Sequence, residues 1–97
     1  MPTGFEQRVY DVVSTIPPGK VMTYKQLGKV LGTRGYRAIG QALARNPHAP
    51  CVPCHRIVRS DLHLGGFMGE QSQEAVAKKR SLLRAEGVRI RDDQVAD

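Results

Sequence analysis

Apolar residues recur at helical spacing in several stretches of the chain. Phe5, Val9, Val12, Val13 and Ile16 follow the three-and-four rhythm of an amphipathic helix. Thr3-Gly4-Phe5-Glu6 fits a capping box at its start, and Pro17-Pro18-Gly19 is expected to stop it. Val21-Met22 reads as a short extended link. Thr23-Tyr24-Lys25-Gln26 offers a second capping box leading into Leu27, Val30 and Leu31, with Gly32 as the stop. After a turn through Thr33, Arg34 and Gly35, the pattern predicts a third helix over 36–45. Ile39 and Leu43 point inward there, while Ala38, Gly40 and Ala42 keep its other sides slim. A final helix is expected over about 72–86, with Val76, Leu82 and Leu83 as core candidates and Gly87 as its stop.

Between these helices the pattern changes character. Asn46-Pro47-His48-Ala49-Pro50-Cys51-Val52-Pro53 carries three prolines and cannot be helical. It delivers the chain to Cys54-His55-Arg56-Ile57-Val58. Residues 61–69 read as a loop centred on Gly65-Gly66-Phe67-Met68-Gly69, and the tail as a short strand at Val88 and Ile90 followed by frayed acidic residues. The second and third helices, joined by a glycine-containing turn over 23–45, read as a helix-turn-helix. Small residues on the third helix suit close approach to another helix or to a narrow minor groove; a major-groove reader more usually presents Gln, Asn, Arg or Ser.

Charge sharpens this picture. The 97 residues carry 15 Lys+Arg against 9 Asp+Glu. From Val12 to Ser60 there is no acidic residue, while Lys20, Lys25, Lys29, Arg34, Arg37, Arg45, Arg56 and Arg59 fall in that stretch. A contiguous basic, acid-free half is the footprint of a phosphate-backbone binder, although a solubilising surface produces the same count. With two Phe, three Tyr and no Trp, a stacking platform for single strands is disfavoured. The length allows one small domain, with no room for a second core. No signal peptide, transmembrane run or disulfide scaffold is apparent, so a soluble intracellular protein with reduced thiols is expected.

The candidate chemistry centres on Pro53-Cys54-His55-Arg56. A thiol becomes reactive when a cation, an imidazole or a helix N-terminus stabilises its thiolate, and His55, Arg56 and Arg59 are near in sequence. Adjacent side chains often point apart, so a water relay or a folded-back loop is needed to join Cys54 to His55. The competing reading of Cys54 is a buried small hydrophobe. Cys51-Val52-Pro53-Cys54 also spells C-x-x-C, but no βαβ framework surrounds it, and a zinc site drawing on His48, His55 or His63 lacks the usual spacing. Cys51 is read as a loop residue packed inward.

Tyr24, Arg37-Ala38-Ile39-Gly40, Asn46-Pro47, Pro53-Cys54-His55-Arg56-Ile57-Val58, the glycine loop and Leu82-Leu83-Arg84-Ala85-Glu86-Gly87 occur in the order found in alkylguanine–DNA alkyltransferases. From about Phe5 to Val88 the chain resembles that family's C-terminal, DNA-binding active-site domain. The resemblance implies a mainly α, small helical domain with a helix-turn-helix (winged-helix-like) and minor β elements. It implies a repair protein that flips an alkylated guanine out of duplex DNA and moves the alkyl group irreversibly to its own cysteine.

Residue by residue, it makes Cys54 the nucleophile, His55 its base through a water, and Glu86 the residue that orients the imidazole. Asn46 holds the cysteine loop, Tyr24 aids nucleotide rotation and protonation of the leaving guanine, and Arg37 fills the vacated stack. Tyr36, Ala38, Gly40, Lys25 and Arg45 join Tyr24 and Arg37 as DNA contacts; Pro53, Ile57, Phe67 and Met68 form the base pocket. Phe67 stands where the family usually has tyrosine. No metal or cofactor is expected, and a cytoplasmic monomer, nucleoid-associated or nuclear according to the cell, is the default. The one-domain layout also resembles the alkyltransferase-like proteins, which generally lack the cysteine. Those bind alkylated DNA without repairing it and engage nucleotide excision repair.

Overall fold

In a computed structural model, residues 2–49 and 51–96 are described; Pro50 of the proline-rich approach and the terminal Met1 and Asp97 lie outside them. Helix α1 (Gly4–Val13) starts at the expected capping box: Thr3 Oγ1 accepts from Glu6 N at 3.1 Å and Thr3 N donates to Glu6 Oε1 at 2.9 Å. It ends at Val13, one turn short of the expected stop. The Ser14 and Thr15 hydroxyls donate to Tyr10 O and Val12 O, and the residue before Pro17 is disfavoured in the α region. Ile16 is buried outside the helix.

Strand β1 (Met22–Thr23) precedes helix α2 (Tyr24–Leu31), whose Thr23–Gln26 capping box is also formed. Gly32 closes α2 at φ +73°, and helix α3 (Tyr36–Ala44) follows. The pair closes tightly at Gly28, where a Cβ would lie 2.7 Å from Thr33 O and 2.8 Å from the Tyr36 ring. Both helices pack on α1 around Val9, Val13, Leu27, Leu31, Ile39 and Leu43. Each such side chain, fully buried, contributes about 1.5–3 kcal/mol. Ala42 belongs to this core instead of the slim outer side: it is buried, and its carbonyl accepts the Tyr10 hydroxyl at 2.6 Å. Ala38 and Gly40 do face outward, with no atom within 4 Å of a Cβ built on Gly40.

The chain then makes a short 3-10 turn at Cys54–Arg56 and enters strand β2 (Ile57–Val58). This strand pairs in parallel with β1, Met22 opposite Ile57, and so ties the cysteine segment to the start of the helix-turn-helix. Helix α4 (Gln73–Ala85), capped by Ser72, turns Ala75, Lys79 and Leu83 inward. Val76 is only partly buried, and Leu82 is half-buried outside the core clusters, because the inward stripe runs 75–79–83. Leu83 joins Val58, Leu64 and Val88 in a second core.

The tail departs from the frayed end that its acidic residues suggested. Strands β3 (Arg89–Arg91) and β4 (Gln94–Ala96) form an antiparallel hairpin through Asp92 and Asp93 at φ +53° and +57°. Aspartate tolerates that left-handed conformation, and Ile90 and Val95 seat the hairpin on the second core. The architecture is the mainly α domain with minor β elements that the sequence pattern and the resemblance predict.

Candidate active site

Glu86, the residue that caps the C-terminus of α4, reaches back beneath the cysteine turn. One carboxylate oxygen, Oε2, lies 3.0 Å from His55 Nε2 and accepts Arg56 Nη2 at 2.6 Å; the other accepts Arg56 Nε at 3.0 Å. Arg56 completes its fork on Ile16 O at 2.7 Å, at the exit of α1. The Arg56 guanidinium foremost, and then His55, hold the Glu86 carboxyl down to about 2. An ionised carboxylate only accepts, so Nε2 of a neutral His55 carries the proton and Nδ1 is the basic nitrogen. His55 is 2% exposed. No hydrogen bond joins it to Cys54 among the described residues, in keeping with the expectation that adjacent side chains diverge.

The expectation that Arg56 and Arg59 furnish the thiol's cation is corrected. Arg56 is spent on Glu86, and Arg59 is exposed and paired with Asp61 at 3.0 Å. The cation bordering the same cavity as Cys54 from the protein interior is Lys79, which sequence reading missed. Lys79 is 3% exposed and donates to Gly66 O at 3.1 Å; burial lowers its pKa to about 8. Its signal was present in the chain, since 75, 79 and 83 fall four apart on the inward stripe of α4.

Asn46 is buried and braces the loop before the cysteine: Nδ2 donates to Val52 O at 2.7 Å, and Oδ1 accepts His48 N at 3.0 Å. Cys51 is exposed, which corrects its inward placement; both cysteines are free thiols.

Cys54 opens on a cavity of about 330 Å³ between the helix-turn-helix and the glycine loop. Tyr24, Arg37 and Gly40 line its helical side, and Phe67, Met68 and Lys79 the opposite one. Burial, and next the nearby Cys54 sulfur, raise the Tyr24 pKa. Gln41 and Gln71 also border it and were not anticipated. Of the expected base-pocket residues, Phe67 and Met68 are in the wall. Pro53 and Ile57 are buried behind it, Ile57 because its strand pairs with β1 inside the first core. Lys25 and Tyr36 border a separate depression at the α2–α3 turn. Arg45 lies farther round, 3.5 Å from Glu6. Ala38 is exposed on the outer face of α3. Among the described residues no three His, Cys, Asp or Glu side chains are grouped to hold a metal, and no helix is long and apolar enough to cross a membrane.

Comparison with known proteins bears directly on this arrangement. Residues 4–88 match the family described as 6-O-methylguanine DNA methyltransferase, DNA binding domain. The chain is 42% identical over 88 residues to a methylated-DNA–protein-cysteine methyltransferase of Methanothermobacter thermautotrophicus, covering 91% of this chain and 47% of that protein. It thus spans about half the length of the curated relatives it matches. Among solved structures, Mycobacterium tuberculosis OGT in complex with DNA superposes with a TM-score of 0.79 at 36% identity, over 90% of this chain and 51% of that one. S. pombe Atl1 in complex with damaged DNA containing O6-carboxymethylguanine superposes with a TM-score of 0.78 at 30% identity, over 94% and 83%.

Proposed function

The chain belongs to the family of the 6-O-methylguanine DNA methyltransferase DNA-binding domain, and from that premise we propose that it binds duplex DNA carrying an O6-alkylated guanine and takes the alkyl group onto Cys54. The observation that carries this reading is that Cys54 shares one cavity with Tyr24 and Arg37 of the helix-turn-helix. A base turned out of the duplex at α3 arrives at the thiol.

The outer face of α3, with Ala38 and Gly40, enters the minor groove. Arg37 takes the place of the rotated nucleotide, while Tyr36, Lys25 and Arg45 contact the backbone. His55 Nδ1 accepts the Cys54 proton through a water, and Glu86 stabilises the imidazolium that forms. The thiolate attacks the alkyl carbon, forming an S–C bond as the C–O6 bond breaks. The guanine leaving as an anion takes a proton from Tyr24, whose phenolate regains one at the expense of the His55 imidazolium, so the thiol proton ends on the guanine. The product is a thioether, so each molecule turns over once, with no cofactor.

The likeness to Atl1 favours a second reading, in which the chain holds the lesion without transferring its alkyl group and presents it to excision-repair factors. Intact-mass measurement after incubation with duplex DNA containing one O6-methylguanine separates the two. Transfer predicts a gain of one methyl mass on Cys54, abolished in Cys54→Ala. Lesion-selective binding with an unchanged mass supports the second reading and overturns the first.

A further inference from the structure

The loop facing Cys54 turns on two residues. Phe67 N donates to Glu70 O at 2.9 Å and Glu70 N to Phe67 O at 3.1 Å, so Met68 and Gly69 form the tip of a tight hairpin at φ +53° and +82°. Both tip residues at positive φ are the mark of a type I′ turn, where Asn, Asp or Gly is the usual first residue. Methionine there costs about 1–2 kcal/mol in local sterics. Its side chain extends to the nucleophile: Cys54 Sγ donates to Met68 Sδ at 3.4 Å. At 36% exposed, Met68 is no core residue. It is a cap with one side on the thiol and the other in solvent.

The backbone beneath that cap is pinned. Gly66 has no room to shift toward its neighbours, since a Cβ would meet Glu70 O and Gln71 Nε2, each at 2.3 Å. Lys79 Nζ holds Gly66 O, and Gly69 lies close against α3, where an added Cβ would be 3.0 Å from Ala44 Cβ. Lys78 stands over the Phe67 ring at 6.0 Å. With the loop fixed from both sides, the freely rotating part is the thioether chain itself, the most adaptable of apolar side chains.

We propose that Met68 is the specificity-determining residue of this site: its thioether caps Cys54, admits small alkyl groups such as methyl, and excludes bulky ones such as benzyl. This rests on alkyl transfer to Cys54 when the substrate is DNA, but the cap itself acts on any electrophile that approaches the sulfur. A carbon attacked by Cys54 must come into van der Waals contact with Sγ, and Met68 Sδ already occupies one such position. A methyl group requires a small displacement of the chain. A benzyl ring requires the whole side chain to leave.

The test uses two sets of electrophiles on the Cys51→Ser background, which leaves Cys54 as the only thiol. The first set is duplex DNA with O6-methylguanine or O6-benzylguanine; the second is iodoacetamide or benzyl bromide without DNA. Intact mass gives the rates. Met68→Ala is expected to raise the benzyl-to-small-group rate ratio at least about tenfold in both sets, the scale of discrimination by a few methylenes in a pocket. Met68→Leu, which keeps the bulk and removes the sulfur, is expected to retain the wild-type ratio. An unchanged ratio in Met68→Ala overturns the proposal, and loss of discrimination in Met68→Leu overturns the steric account of it. Should DNA alkylate no variant while the halide ratio still rises in Met68→Ala, the transfer reading fails and the cap stands.

Discussion

Behind Cys54, toward the C-terminus of α4, Glu86 has both carboxylate oxygens engaged and Arg56 links that helix end to the exit of α1. In front, the Gly65–Gly69 loop crosses the left-handed region at three of its five residues. One of these is a methionine, and the loop leans on a buried lysine that burial itself penalises. The rear is relaxed and over-determined; the front is strained and held by pins. On the proposed reading, the difference separates two tasks. A base must keep one tautomer and one direction, which saturated hydrogen bonding secures. A pocket that sorts substrates by size needs particular side chains at positions the backbone would not choose, and strain is the usual sign of that.

The rear is where breaking a contact has the largest effect. Glu86→Ala leaves a largely buried guanidinium unpaired and His55 without its acceptor, and about 3–5 kcal/mol of folding stability should be lost. Urea denaturation at neutral pH measures this, and a loss under 1 kcal/mol would mean that the cluster is ornamental. The acid dependence follows from the same carboxylate. Its folded pKa is about 2 against 4.5 for the ordinary group, so its stabilisation is present in full above 4.5 and is lost as pH falls toward 2. Glu86→Gln should therefore lie below wild type at pH 6, and the gap should narrow as pH falls below 4.5, closing only below about pH 2. Glu6 and Asp61 are lowered as well, but both remain in the variant, so the difference between the two curves reports Glu86 alone.

Much of the helical frame was legible in the sequence, and the long-range contacts behind Cys54 were not. The capping boxes at Thr3 and Thr23, the left-handed Gly32, and the apolar spacing of Val9, Val13, Leu27 and Ile39 are local signals, and local signals are what periodicity reads. His55 with Glu86, 31 positions apart, was named only through a family resemblance, because nothing local to either residue points to the other. Arg56 was assigned to the thiol on adjacency alone, whereas its partners lie on α4 and at the end of α1. Cys51 faces outward for the same reason, since loop direction is set by the Asn46 brace and not by hydropathy. The tail hairpin was missed because Asp92-Asp93 reads as a solvated end unless Ile90 and Val95 are matched across it.

A smaller effect is expected at the lysine that pins the front. The Lys79 amine has a folded pKa of about 8 against 10.5 for the ordinary group. The unfolded chain thus holds the proton longer, and stability rises with pH between those values. Raising pH from 8 to 10 should add about 2 kcal/mol to wild type relative to Lys79→Met, the slope approaching about 1.36 kcal/mol per unit of pH only in the middle of the window. Tyr10 and Tyr24, raised by burial, work in the opposite direction only above pH 10, so the interval is free of them. Parallel stability curves for the two proteins from pH 8 to 10 would show that the amine is hydrated and that the loop is held by other contacts.

The smallest effect is the most discriminating. If Met68 is kept at positive φ for what it does to the thiol, folding should improve when it is replaced by a residue that suits the turn. Asparagine is at ease in the left-handed region and, unlike glycine, adds little freedom to the unfolded chain. Met68→Asn removes the steric cost of the turn and gives up only the contacts of a partly exposed side chain. The net should be a gain of about 0.5–1 kcal/mol, within the range seen when a strained position is relieved. A rise in the urea midpoint with an unchanged slope is the expected result. A loss of 1 kcal/mol or more would mean that the thioether is packing that holds the hairpin together. The contact between Met68 and Cys54 would then be a by-product of folding, and the front of the site would obey the same rule as the rear.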